Sequence, residues 1–251
     1  MKKLSLTVVA IGILSLLAPA AALAQDGDQP IVFGIYYRCS QGQEARADEI
    51  HNQIVAPVVQ KHVDLGHLTG QLWLAHRQGG PWRRLQATLG TDLDQMMDMR
   101  QAIVQELTTN HAAEMAELQT ICSSHNDYIW VGIENSPINL DTVGNASLSA
   151  YHACDMSRET RADEIFSELL APLYQKHMDM GHLASWGYYS HRMGGIFRRL
   201  ETMSGADHKT LLAMQNAIYQ EAGETDAVAL AEFRSICSWH TDYMWANASQ
   251  D

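Results

Sequence analysis

Residues 121–130 read ICSSHNDYIW, and residues 236–245 read ICSWHTDYMW. A pattern I-C-S-x-H-x-D-Y-x-W that occurs twice in one chain asks for an internal repeat before any local reading. Working outward, one constant offset carries Cys39 to Cys154, Pro57 to Pro172, Gly66 to Gly181, Gly79-Gly80 to Gly194-Gly195, and Trp130 to Trp245, without a gap. The expected organisation is a first repeat over 25–135, a linker over 136–147 and a second repeat over 148–251. Each repeat is long enough for a domain-sized unit. The two copies also serve as a comparison of the chain with itself, because they show which positions exchange side chains.

Within the first copy, IVFGIYYRC (31–39) is rich in β-branched and aromatic residues and predicts a strand. The 3.6-residue apolar spacing of 44–66 predicts a helix that stops at Gly66, with a kink at Pro57. HLTGQLWLAHR and WRRLQATLG flank Gln-Gly-Gly-Pro and read as a hairpin. A second helical region starts at the N-cap candidate Asp92, matched by Asp207, and runs toward Cys122 in two pieces before a last strand, DYIWVGIE. The order is β-α-β-β-α-β, the ferredoxin-like arrangement, and the fold class is α+β.

Together, FGIYYRC, the Pro-containing helix ending in QKHVDLGHL, the H-R-x-G-G hairpin and HNDYIW resemble the dimeric α/β-barrel superfamily. Its NIPSNAP-like and antibiotic-biosynthesis-monooxygenase-like branches are the nearest in pattern. The resemblance covers 31–135 and 146–246 and implies two tandem ferredoxin-like repeats pairing as an intramolecular α/β barrel, a monomer with an internal pseudo-dimer. Activities in that superfamily include cofactor-free oxygenation, haem degradation and isomerisation. In the implied strand order 4-1-3-2, strands 1 and 4 are neighbours, which favours the disulfides Cys39–Cys122 and Cys154–Cys237 among the three possible pairings.

The chain begins with Lys2 and Lys3, an apolar run and Ala22-Leu23-Ala24, the layout of a signal peptide over 1–24. No stable membrane anchor is expected, and the mature protein is read as periplasmic or secreted. Four cysteines in such a compartment point to disulfides. A formal net charge of −12, more negative still without Lys2 and Lys3, repels phosphate backbones and argues against nucleic acid as a partner.

Twelve Met and twelve His invite a copper reading. However, Met96, Met97 and Met115 exchange with Leu211, Leu212 and Leu230, and Met178 and Met180 with Val63 and Leu65, as apolar filler does. Of the recurring histidine pairs, His62/His177 and His67/His182 sit around a helix C-terminus and read as structural. His76/His191 and His125/His240 are the functional candidates, with Asp127/Asp242 beside them and Glu49/Glu164 from the helix start RADEI. Carboxylates near imidazoles can fix a tautomer, raise basicity or complete a metal site. If the barrel closes accordingly, His76 would meet His240 and His125 would meet His191. The strand aromatics offer a core or a flat apolar site between the sheets, with Arg83-Arg84 and Arg198-Arg199 as receivers for an anionic group. Three functions stay open: a module for a hydrophobic or aromatic small molecule, haem or a transition metal included; an oxygenase- or isomerase-type enzyme using the histidines; or a ligand-free structural domain.

Overall fold

The computed structural model describes residues 29–137 and 144–248. The expected signal peptide and the middle of the expected linker lie outside the described residues. The first half comprises β1 (Ile31–Arg38), α1 (Glu44–Ile50), a π-helical turn (His51–Val55), α2 (Ala56–Asp64), β2 (Gly70–Gly79), β3 (Arg84–Gly90), α3 (Leu93–Asn110), α4 (Ala112–Ile121) and β4 (Ser124–Asn135). The second half follows the same order: β5 (Ala146–Ala153), α5 (Glu159–Ile165), a π-helical turn (Phe166–Leu170), α6 (Ala171–Asp179), β6 (Ser185–Met193), β7 (Arg199–Gly205), α7 (His208–Thr225), α8 (Ala227–Ile236) and β8 (Trp239–Asn247).

Pro57 is not set in a regular α-helix. It lacks the N–H that would bond four residues back, and the turn ahead of it widens so that Ala56 N donates to His51 O. The same widening precedes Pro172. Both long helices start on an aspartate cap: Asp92 accepts from Gln95 N and Asp207 from Thr210 N, each at 2.9 Å. His111 and Asp226 separate the two pieces of each second helical region.

The eight strands close into one antiparallel barrel in the order β1-β3-β2-β8-β5-β7-β6-β4. Each half contributes four strands in the expected 4-1-3-2 order, and the halves meet at two seams, β2 with β8 and β4 with β6. Alternation along the strands then makes three cores. Tyr36, Leu85, Tyr128, Trp130, Tyr151, Leu200, Tyr243 and Trp245 point into the barrel, where Trp82 and Phe197 join them from the hairpins. The opposite faces pack under the helices of their own half, around Ile35, Val59 and Leu107 in the first and Phe166, Tyr174 and Phe233 in the second.

Disulfides Cys39–Cys122 and Cys154–Cys237 tie the end of the first strand of each half to the end of its last helix. On the chain-entropy model each contributes roughly 4 kcal/mol, and both are compatible with an extracellular location. Among the described residues no helix is long and apolar enough to cross a membrane.

Candidate functional site

The four candidate histidines separate into two kinds. His76 near the end of β2 and His191 on β6 lie at the seams. Their Nδ1 atoms accept from Arg83 at 2.9 Å and Arg198 at 2.7 Å, and those guanidiniums are held by Glu44 and Glu159. An accepting Nδ1 leaves the ring proton on Nε2. Burial first, then the adjacent arginine, lowers both pKa values, so the rings are neutral. Each Nε2 is buried without a hydrogen-bond partner among the described residues. His76 stands edge-on to Tyr243 and Trp245, and His191 to Tyr128 and Trp130. Both act as wedges between the halves.

The expected meetings of His76 with His240 and His125 with His191 do not occur. The seam register sets His76 opposite Trp245 and His191 opposite Trp130, while His125 and His240 lie further toward the starts of β4 and β8. There they pair within their own sheets, His125 opposite Tyr37 and His240 opposite His152. The carboxylates of RADEI also stay apart from them. Glu49 and Glu164 are exposed and ion-pair with Arg46 and Arg161, one helical turn away. Nor are the paired arginines left to receive an anion: Arg83 binds Glu44, Arg84 binds Asp48 through both carboxylate oxygens, and Arg198 and Arg199 repeat this with Glu159 and Asp163.

His125 opens on a cavity. Between the outer face of β1 and β3 and helices α2, α3 and α4 lies a space of about 210 Å³. Its walls are apolar, with Phe33, Ile35, Val59, Met96, Leu107 and Leu118 among them, and its polar groups include Arg100, His125, Gln86 and Tyr37. His125 Nδ1 bonds Asp127 Oδ1 at 2.7 Å, and Asp127 Oδ2 accepts from Arg100 at 3.3 Å. The Arg100 guanidinium also lies over the Phe33 ring, 4.0 Å from its centre. Tyr37 donates to Gln86 Oε1 at 3.3 Å, and burial raises its pKa, so it remains a neutral hydroxyl.

In the second half the corresponding apolar space is taken up by larger side chains. Tyr174 replaces Val59, Tyr219 replaces Val104 and Phe233 replaces Leu118. A different group appears there instead. Glu201, at the position of Gln86, is 2% exposed and accepts from Tyr174 and Tyr219. His152, at the position of Tyr37, is 5% exposed with Nε2 3.5 Å from Glu201 Oε2. Burial alone would raise the Glu201 pKa, yet His152 and the two tyrosyl donors outweigh it and the pKa is lowered. Beside them a polar cavity of about 230 Å³ is lined by His152, Tyr219, Arg234, His240 and Asp242.

Arg100, His152 and Glu201 were not among the residues expected from the sequence. The signal that marks them is difference between the copies: Arg100/Gln215, Tyr37/His152 and Gln86/Glu201 all exchange chemistry, whereas shared histidines and arginines at the seams hold the barrel together.

A site between the sheets is largely closed by aromatic packing, leaving about 110 Å³ lined by residues such as Leu72, Leu89, Ser149 and Tyr189. An apolar cavity of about 150 Å³ holds one benzene. A haem, several times larger, fits neither the barrel interior nor the cavities of about 210 and 230 Å³ as they stand. Among the described residues no group of three or more His, Cys, Asp or Glu could hold a metal ion.

No family model matches the chain and no curated protein is similar to it in sequence. Solved structures do resemble it. A monooxygenase candidate from Lactobacillus acidophilus is 6% identical, with 88% of this chain and 95% of that one covered at a TM-score of 0.53. Another from Fusobacterium nucleatum is 10% identical, covering 88% and 93% at 0.54. A chlorite dismutase variant from Candidatus Nitrospira defluvii is 8% identical, covering 88% and 93%, also at 0.54. At such identities the likeness is one of fold: the chain has the closed α/β barrel of monooxygenase-like and chlorite-dismutase-like proteins.

Proposed function

We propose that the protein binds a small apolar molecule bearing an acidic or strongly polar end, in the cavity under the helices of the first half. The observation that carries this reading is a space of about 210 Å³ with apolar walls and Arg100 and His125 among its lining. It exceeds the cavity that holds benzene, so a single ring with a short substituent is the size it takes. Arg100 supplies a cation and His125, oriented by Asp127, a second polar contact. We also infer that the chain is a tandem duplication, exported and matured with both disulfides. The repeated sequence, the leader-like start and the cysteine pairs support this.

The His125–Asp127 pair favours a second reading, an isomerase- or oxygenase-type enzyme in which His125 accepts a proton from a molecule held in the same cavity. Shared fold with monooxygenase-like proteins does not decide between binding and turnover.

Ligand-observed NMR with toluene and benzoate tests the binding claim. Both are expected to bind, benzoate more tightly. Val59→Tyr, which installs the second half's side chain, should abolish both. Arg100→Gln, which copies Gln215, should bring benzoate down to the level of toluene. Failure of both compounds to bind, or undiminished binding in folded Val59→Tyr, would overturn the proposal.

A further inference from the structure

The second half carries an acid–base group at positions where the first half has none. Tyr219 donates to Glu201 Oε2 at 2.8 Å and Tyr174 donates to Oε1, so both carboxylate oxygens act as acceptors, as in an ionised side chain. A buried anion without a counter-charge is costly. His152, 3.5 Å away, is the group placed to supply it; that separation is long for a hydrogen bond but close for a charge pair. A protonated imidazole has two N–H donors. One faces Glu201. The other, on Nδ1, is buried with no hydrogen-bond partner among the described residues, and the ring lines the polar cavity.

The rest of that cavity is rich in donors. Arg234 approaches from α8, Gln215 and Asn216 bring amides from α7, and His240 on β8 lies opposite His152 on β5 with ring centres 5.5 Å apart. Asp242, the carboxylate in the lining, is engaged by His240 Nδ1 at 3.1 Å. With a proton on Nδ1 the ring would present an unsatisfied donor, 5% exposed and surrounded by further donors, to an anionic acceptor.

We propose that this cavity is a second ligand site, which takes a small polar carboxylate through the free N–H of His152 and the Arg234 guanidinium. It is distinct from the first-half cavity in position and in chemistry. Its space of about 230 Å³ admits a molecule of a few heavy atoms, and its polarity disfavours the apolar compounds suited to the other site.

Calorimetric titration of the full disulfide-bonded chain with formate, acetate and pyruvate tests the site. At least one is expected to bind saturably. His152→Tyr and Glu201→Gln, which install the first half's own residues, should each weaken that binding at least tenfold, as should Arg234→Gln on the exposed face of α8. Thermal unfolding of each variant separates loss of ligand from loss of fold, and Arg234→Gln keeps the test open if a buried substitution unfolds the protein. In Val59→Tyr, which fills the first-half cavity, the binding component that Arg234→Gln removes should remain. No saturable binding of any of the three, or affinity equal to the parent chain's in folded Arg234→Gln and His152→Tyr, overturns the proposal without touching the first-half site.

Discussion

At the scale of single residues, the most informative comparison is His51 with Phe166, which occupy equivalent positions ahead of the two prolines. His51 is 2% exposed and stacks on Trp73, ring centres 4.0 Å apart, as Phe166 stacks on Tyr188 at 3.8 Å. This imidazole is kept neutral by burial, not by stacking. Burial lowers its pKa from 6.5 to about 4. Between those values the unfolded chain binds a proton that the folded chain refuses, so this contribution is complete above pH 6.5 and is lost as pH falls toward 4. From pH 7.5 to pH 5 the loss is about 2 kcal/mol. Urea denaturation of His51→Phe should show a pH slope reduced by about one proton relative to the parent chain over that range. Parallel slopes would mean that His51 is protonated in the folded state.

At the scale of elements, the seams are held by hairpin tips that carry no side chain. Gly79 has φ +125°, and a Cβ there would lie 2.3 Å from the carbonyl oxygen of Asp242; Gly194 has φ +136° and would meet that of Asp127 at 2.7 Å. Gly79→Ala should therefore cost about 2 kcal/mol or more, from backbone strain together with displacement of β8. Gly66→Ala, at φ +73° with open space around the added carbon, should cost about 1 kcal/mol. Thermal unfolding of the two variants checks the difference, and equal losses would show that the tip does not press on the seam. Here the sequence was legible only in part. Period-2 and 3.6-residue patterns place the strands and helices in order, and Gly79-Gly80 marks the turn, but they miss the π-helical turn before Pro57 and start the last strand at Asp127 where β4 begins at Ser124. The seam register is not local information: it depends on where β8 meets β2, and that displacement separated His76 from His240. The same limit hid the candidate sites. Repetition drew attention to His76 and His191, which serve the barrel, while Arg100, His152 and Glu201 sit where the copies diverge and become a site only once strand and helix faces are assembled.

At the scale of the whole molecule, the barrel closes within one chain. A four-stranded sheet on its own exposes two edges, β2 and β4 in the first half and β6 and β8 in the second, and unpaired edges recruit other chains. Here β2 pairs with β8 and β4 with β6, so no edge of the barrel is left open among the described residues. The disulfides lie within each half and do not cross a seam, so the halves are joined by strand pairing, by aromatic packing inside the barrel and by the chain itself. When the partner sheet is covalently attached, its effective concentration does not change on dilution. The unfolding midpoint should then be independent of protein concentration, unlike that of an obligate dimer. Thermal scans over a hundredfold dilution, with native mass spectrometry at each end, are expected to give one midpoint and the mass of one chain. A midpoint that falls on dilution would place the seams between two chains, with the β2–β8 and β4–β6 pairs exchanged between copies.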